Sequence, residues 1–177
     1  MARTDLKPLP TVPEDAAGPS EQRRHRIERR AGLALVFVVL VLGAANLLGV
    51  RAATVSESGG GFELSVEYAS VSRPGLATPW TVRVRRPGGF DGPVVLATTS
   101  RYLELLDENG LDPDPQRATA TGDMTVWEFE PPPGEELTVT FDGRLEPAFH
   151  TGRSGETSIL VDGEPAVSVS YRTVVMP

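Results

Sequence analysis

Cysteine is absent from this chain of 177 residues, and lysine, isoleucine, asparagine and histidine are scarce. Without cysteine the protein has no disulfide, no cysteine-ligated zinc, no lipoprotein cysteine and no thiol chemistry. Lysine occurs once, as Lys7, against sixteen arginines. This bias against AT-rich codons indicates a GC-rich bacterial genome. Because the chain can form no disulfide, any folded domain must be held together by its apolar core alone.

Positive charge is in deficit over most of the chain. Residues 51–177 contain ten arginines and nineteen carboxylates, a net charge of −9, whereas residues 1–30 have a net charge of +2. Binding to nucleic acid requires positive charge that neutralises phosphates. The composition therefore excludes nucleic acid as an expected partner of the C-terminal part.

One long apolar run lies between Ala31 and Val50, where twenty residues carry no charge. At about 1.5 Å per residue, such a helix spans about 30 Å, the thickness of a bilayer's hydrocarbon core. We therefore predict a single transmembrane helix at 31–50. A cleaved signal peptide, of the ordinary or twin-arginine kind, is the alternative and would release a secreted domain. The run is longer than the usual signal core of about 7–15 residues, which favours an uncleaved anchor.

Arginines immediately before the run predict its orientation in the cytoplasmic membrane. They are Arg23, Arg24, Arg26, Arg29 and Arg30. Arginine-rich flanks stay in the cytoplasm, so the N-terminus is expected inside and the C-terminal domain outside. The same side chains can contact anionic lipid headgroups. The simpler interpretation is that these arginines determine the topology and do nothing else.

Small residues and one amide occupy the outer half of the predicted span. They are Gly43, Ala45, Asn46 and Gly49. Small residues permit close helix approach, and an amide in lipid requires a partner, so these residues are a candidate helix–helix contact. Because alanine and glycine are common in membrane helices, the favoured interpretation is that these residues contact no partner helix.

The chain divides into four predicted regions. Residues 1–30 are a disordered cytoplasmic tail ending in the arginine flank, 31–50 the membrane helix, 51–61 a flexible tether, and 62–177 an extracytoplasmic domain. In the last region apolar residues alternate with polar ones, and turn signals separate seven or eight such segments. This pattern predicts a mainly β, immunoglobulin-like antiparallel sandwich without the cysteines of true immunoglobulin domains. Residues 162–165, Asp-Gly-Glu-Pro, predict the turn of a hairpin.

No catalytic constellation is recognisable in the sequence. His150 has no nucleophile motif beside it, and a pocket using Glu146, His150 and Arg153 is what an envelope enzyme or ligand-binding domain would require. The acidic segment 107–114 lacks the spacing of a calcium-binding EF-hand loop and is predicted as a solvated turn, with calcium binding left open. We expect no catalytic residue, no metal and no cofactor.

The C-terminus departs from strict alternation, because residues 173–176 are apolar on both faces. The favoured interpretation is a final strand buried on both sides. The alternative is that Val174 and Met176 form an edge that contacts a membrane partner.

Several turns and strand ends resemble those of small single-pass membrane proteins of the actinobacterial type. The residues that carry the resemblance are Arg-Arg-Pro-Gly-Gly-Phe-Asp-Gly-Pro-Val at 85–94, Leu-Glu-Pro at 145–147, the turn at 162–165 and the ending at 171–177. It covers the span and the external domain but not the tail. It implies a membrane location, an unassigned function and no catalytic residue.

These observations together predict a membrane-anchored binding or accessory module of the bacterial cell envelope. Its expected partners are the lipid bilayer and another membrane protein or envelope component. The alternatives are a secreted β-sandwich, or an envelope enzyme or ligand-binding domain with an unrecognised site.

Overall fold

A computed structural model of the protein describes the backbone of residues 19–44 and 49–176, and their side chains except at 19–22, 108 and 109. The chain separates into two compact units, Met1–Leu47 and Leu48–Pro177. The first contains one helix, and the second contains all the strands.

Helix α1 extends from Pro19 to Ala44 and so includes the first part of the uncharged run. Its large apolar side chains are exposed to between 48% and 66%, namely Leu33, Leu35, Val36, Phe37, Val38, Val39, Leu40 and Val41. The five arginines of the flank are also exposed. Over the described ranges, no helix combines the length and the apolar character that crossing a membrane requires.

The second unit consists of ten strands and one short helix. They are β1 (Arg51–Gly59), β2 (Phe62–Ser72), β3 (Trp80–Arg85), β4 (Val94–Thr99), α2 (Ser100–Leu103), β5 (Leu106–Asp112), β6 (Arg117–Thr121), β7 (Met124–Phe129), β8 (Glu136–Leu145), β9 (Arg153–Val161) and β10 (Glu164–Val175). The prediction of a mainly β domain is therefore confirmed, with more strands than the seven or eight expected.

The strands form one curled sheet in the order β5-β8-β3-β2-β10-β9-β4-β7-β6, and β1 adds to β2. Neighbours are antiparallel except β10 and β2, which pair in parallel at Val174 and Val175. The curl brings distant strands together over one core. The ring of Trp80 on β3 lies 6.0 Å from that of Trp127 on β7, and its Nε1 donates to the Tyr171 hydroxyl on β10.

Strand β8 shows why the period-two pattern forms this core. Its even positions from Glu136 to Arg144 are exposed and its odd positions are buried, because side chains of a strand point alternately to its two faces. Position 143 is glycine, where a Cβ would lie 2.7 Å from the ring of Phe141. The alternation therefore encodes which face of the sheet is covered.

The hairpin between β9 and β10 confirms the turn predicted there. Val161 pairs with Glu164 across a two-residue turn at Asp162 and Gly163. Both turn residues have positive φ, 54° and 85°, which matches the twist of the flanking strands and suits aspartate–glycine.

Residues 51–59 differ from the flexible tether predicted for 51–61. They form β1, which pairs with β2 from Arg51 opposite Val71 to Gly59 opposite Phe62. The segment has few large apolar side chains, so its own pattern gives no strand signal. The edge of β2 supplies the backbone hydrogen bonds, and Ala53 and Val55 pack against the core.

The acidic segment also differs from the prediction of a solvated turn. Residues Leu106–Asp112 form β5, which pairs with β8, and the Asp107 carboxylate lies 3.8 Å from the Arg144 guanidinium. Just before β5, Tyr102 lies in helix α2 with its ring buried. Pairing with β8 thus overrides the local preference of a segment rich in aspartate.

Buried hydroxyl groups form two hydrogen-bonded networks in the core. The Tyr171 hydroxyl lies 2.8 Å from the Thr157 hydroxyl, which lies 3.0 Å from that of Thr98. The Tyr102 hydroxyl lies 2.9 Å from that of Thr173. A buried polar group without a partner lowers stability. The hydrogen bonds of the tyrosine hydroxyls therefore determine the positions of the tyrosine rings.

Stability is expected to fall at high pH because of these phenols. Burial raises the pKa of Tyr171 to about 12 and that of Tyr102 further, against about 10 for an unfolded tyrosine. The unfolded chain then ionises first, so stability is complete below pH 10 and is lost between pH 10 and 12, by about 3 kcal/mol for Tyr171. Urea midpoints measured across this range check it. Tyr171→Phe should flatten the decline, and an unchanged midpoint up to pH 12 would contradict it.

Candidate binding site

A groove of about 620 Å³ lies between strands β1 and β10. It is lined by residues 55–59 of β1 and 166–170 of β10. The two strands pass each other here without forming a ladder. They are the facing margins of the two halves of the curled sheet.

Strand pairing explains why the groove stays open. Strand β10 pairs with β9 from Glu164 to Thr173 but meets β2 only at Val174 and Val175. Strand β1 pairs with β2. Within residues 49–176 no ladder joins β1 to β10. Each strand therefore presents one edge of backbone N–H and C=O groups to the groove.

Close packing shuts one end of the groove. A Cβ at Gly59 would lie 2.8 Å from the carbonyl oxygen of Ala166, so only glycine permits this approach. Toward the other end, the Met176 N–H donates to the Ser72 carbonyl and ties β10 to β2. The groove is therefore closed at both ends and open between them.

The lining is small and mostly polar. Its floor includes the buried side chains of Val167 and Val169. Its rim carries four serines and one ionisable group, which are Ser56, Ser58, Ser168, Ser170 and Glu57. No bulky side chain covers the backbone of either edge. The spacing of these serines, at alternate positions on two strands, is the sequence signal that could have indicated the groove.

Two other concave regions have their polar groups already engaged or contain few of them. In a cavity of about 230 Å³ near Phe62, the Arg86 guanidinium lies 5.2 Å above that ring and 2.6 Å from the Asp91 carboxylate. A second, of about 410 Å³, is lined by Phe129 and five prolines. Neither offers two unpaired strand edges.

Among the described residues, no hydrogen bond or ion pair joins the three residues considered for an enzymatic pocket, Glu146, His150 and Arg153. The Arg153 guanidinium donates to the Arg101 carbonyl and to the Glu104 carboxylate, both at 2.6 Å. It also lies 4.5 Å from the centre of the Phe149 ring. Arg153 thus holds α2 and the loop before β9. Among the side chains that the structure describes, no group of three or more histidines and carboxylates could hold a metal ion.

The contact of Val174 and Met176 with a membrane partner stays a prediction. Strand β10 is an interior strand, and at Val174 it pairs with Val71 of β2, so the backbone there is not a free edge. The Val174 side chain itself is 47% exposed. The free edge of β10 lies earlier in the strand, at the groove.

The candidate helix–helix contact falls largely on the boundary between the two units. Gly43 is exposed on α1, and Gly49 lies in a bend before β1. Ala45 and Asn46 lie outside the described residues. The contact therefore stays a prediction.

No family model matches this sequence, and no curated protein matches it. The resemblance to actinobacterial single-pass proteins stays a prediction. The groove and the charge pattern are the observations that bear on function.

Proposed function

We propose that the protein is a membrane-anchored binding or accessory module of the bacterial cell envelope. In this proposal residues 1–30 are cytoplasmic, 31–50 cross the cytoplasmic membrane uncleaved, and the β domain binds another membrane protein or envelope component outside. The anchor is supported by the twenty uncharged residues and the arginine flank. The large apolar side chains of α1 from Leu33 to Val41 are exposed, and contact with lipid would cover them.

We further assign the β domain to the immunoglobulin-like sandwiches, on the strength of its strand order. For comparison with a seven-stranded immunoglobulin domain, β1 and the β6–β7 hairpin are left out. The remaining strands are then counted in chain order: β2, β3, β4, β5, β8, β9 and β10. The first, second, fifth and fourth are then neighbours in one half of the sheet, and the third, sixth and seventh in the other. This is the immunoglobulin arrangement, to which the β6–β7 hairpin and β1 are additions. Domains of this class serve many functions, so the fold alone does not support binding.

The observation that carries the binding function is the groove between β1 and β10. Edges of unpaired backbone in a sheet are usually shielded by charged side chains, proline or a covering loop, because they invite pairing with another chain. Here the rim is serine and glycine, and the Glu57 carboxylate is the one charge. Such an unshielded edge suits a partner.

Single cysteines introduced into this cysteine-free chain test the proposal. A photoactivatable cross-linker is attached at Ser58→Cys on β1 or Ser170→Cys on β10, in the full-length protein in its native membrane. Both are expected to yield one adduct of the same mass, because the two positions face one partner. Thr138→Cys, exposed on the outer face of β8, is the matched control and should yield none. Absence of an adduct, or equal adducts from all three positions, would refute the proposal.

A further inference from the structure

We infer that the groove binds an extended polypeptide segment of a partner protein, which adds as a strand along the free edges of β1 and β10. The inference rests on the binding function proposed above and specifies the chemistry of its ligand. It follows from the backbone groups, the lining side chains and the charge of the domain.

The backbone groups at the groove require a partner with a regular pattern of donors and acceptors. Each edge contributes five residues to the lining, which at about 3.3 Å per residue corresponds to about 16 Å of strand. An extended polypeptide offers N–H and C=O groups at the same repeat, whereas a sugar or a lipid does not. Addition of a peptide strand to a sheet edge is a general mode of recognition.

The side chains of the lining specify which segment fits. On the core side of the two strands the side chains are apolar, with Val167 and Val169 buried and Val55 half-buried, so ligand residues that point to that side should be small and apolar. The residues between them meet the serines of the rim and should be polar. Because Glu57 is the one ionisable group there, a basic residue opposite it is favoured.

Charge argues for a different protein rather than a second copy of this chain. The region from residue 51 to 177 has a net charge of −9, so two copies would repel each other. In addition, two β1 edges placed together would bring two Glu57 carboxylates near each other. A neutral or basic segment has neither penalty.

Amide hydrogen exchange on the full-length protein in lipid nanodiscs tests the inference. The probe is a short synthetic peptide in which valine alternates with threonine around one lysine. The peptide is expected to slow exchange by at least about tenfold at alternate residues within 55–59 and 166–170, namely those whose N–H faces the groove and becomes hydrogen-bonded. Strand β6, which ends the sheet at its other margin, is an internal control and should be unchanged. The same peptide with N-methylated backbone amides should not bind.

Variants of the groove provide the second measurement. Ser56→Lys with Ser170→Lys places two charged side chains at exposed rim positions and should weaken peptide binding at least about tenfold. Thr138→Lys on β8 is the matched control and should bind as the parent does. If the double variant has a lowered melting temperature, Ser170→Lys alone replaces it.

Three outcomes would overturn the inference. They are no binding of the peptide, equal binding of its N-methylated form, and slowed exchange without peptide that increases with protein concentration, which would identify a second copy as the occupant. Adducts from the cross-linker at Ser58→Cys and Ser170→Cys without peptide binding would leave the binding function standing and remove only strand addition. Peptide binding without adducts would show that the groove accepts an added strand, and would contradict the proposal that a partner occupies it in the native membrane.

Discussion

Replacing Trp80 with alanine is expected to destabilise the β domain by about 3–5 kcal/mol. Trp80 is fully buried, and its ring contacts Trp127 and Phe141, each at 6.0 Å between ring centres. It joins the two halves of the curled sheet, because Phe141 lies on β8 and Trp127 on β7. Removing it leaves a large cavity and deprives the Tyr171 hydroxyl of the donor Nε1. Thermal unfolding followed by the fluorescence of Trp127, the remaining tryptophan, measures the loss.

Trp80→Phe separates packing from hydrogen bonding. Phenylalanine keeps an aromatic ring at the centre of the core but cannot donate to Tyr171, whose hydroxyl still has Thr157 as a partner. We expect this variant to lose about 1–2 kcal/mol, from one hydrogen bond and a small cavity. A loss equal to that of Trp80→Ala would mean that the hydrogen bond, not the packed ring, determines stability at this position.

Replacing Val38 and Leu40 with arginine is expected to abolish membrane integration. Both lie near the centre of the uncharged run and are at least half exposed on α1. Each arginine at the middle of a membrane helix costs about 2.5–3.5 kcal/mol on insertion scales, so the pair costs about 5–7 kcal/mol. Alkaline carbonate extraction should move the protein from the pellet to the supernatant. Thr138→Cys in the same background should no longer react with a membrane-impermeant maleimide on intact cells.

An apolar exchange of the same two positions, Val38→Leu with Leu40→Val, is the matched control and should leave the protein in the membrane pellet. A double-arginine protein that resists carbonate extraction would contradict the anchor. N-terminal sequencing of the parent protein tests the remaining alternative, which is a cleaved signal peptide. A chain beginning after residue 50 would identify the run as a cleaved signal and the product as a secreted domain.

Strands that bury one face were predictable from the sequence. An apolar residue recurs at every second position from Phe62 to Tyr68 in β2, throughout β3, and from Leu137 to Phe141 in β8. Burial of these side chains away from water then covers one face of each strand. The hairpin at Asp162 and Gly163 was predictable for a local reason as well, since its two residues tolerate positive φ.

Strands β1, β5 and β6 were not predictable in this way. Strand β6, Arg-Ala-Thr-Ala-Thr, is exposed at every position, and β5 is rich in aspartate. Strand β5 is held by backbone hydrogen bonds to β8, which the chain reaches only after two further strands, whereas β1 and β6 form two-residue hairpins with the strands that follow them, β2 and β7. The parallel pairing of Val174 with Val71 was not predictable either, because these residues are about a hundred positions apart in the chain.

The sequence by itself determined the period of the strands, the turn at the last hairpin, the absence of disulfides and the separation of an arginine-flanked apolar run from an acidic domain. These properties depend on residue type and near neighbours. Only the tertiary structure decided which strand edges remain free. That choice depends on which strands meet across the curled sheet, and it leaves β1 and β10 with one free edge each where they line the groove.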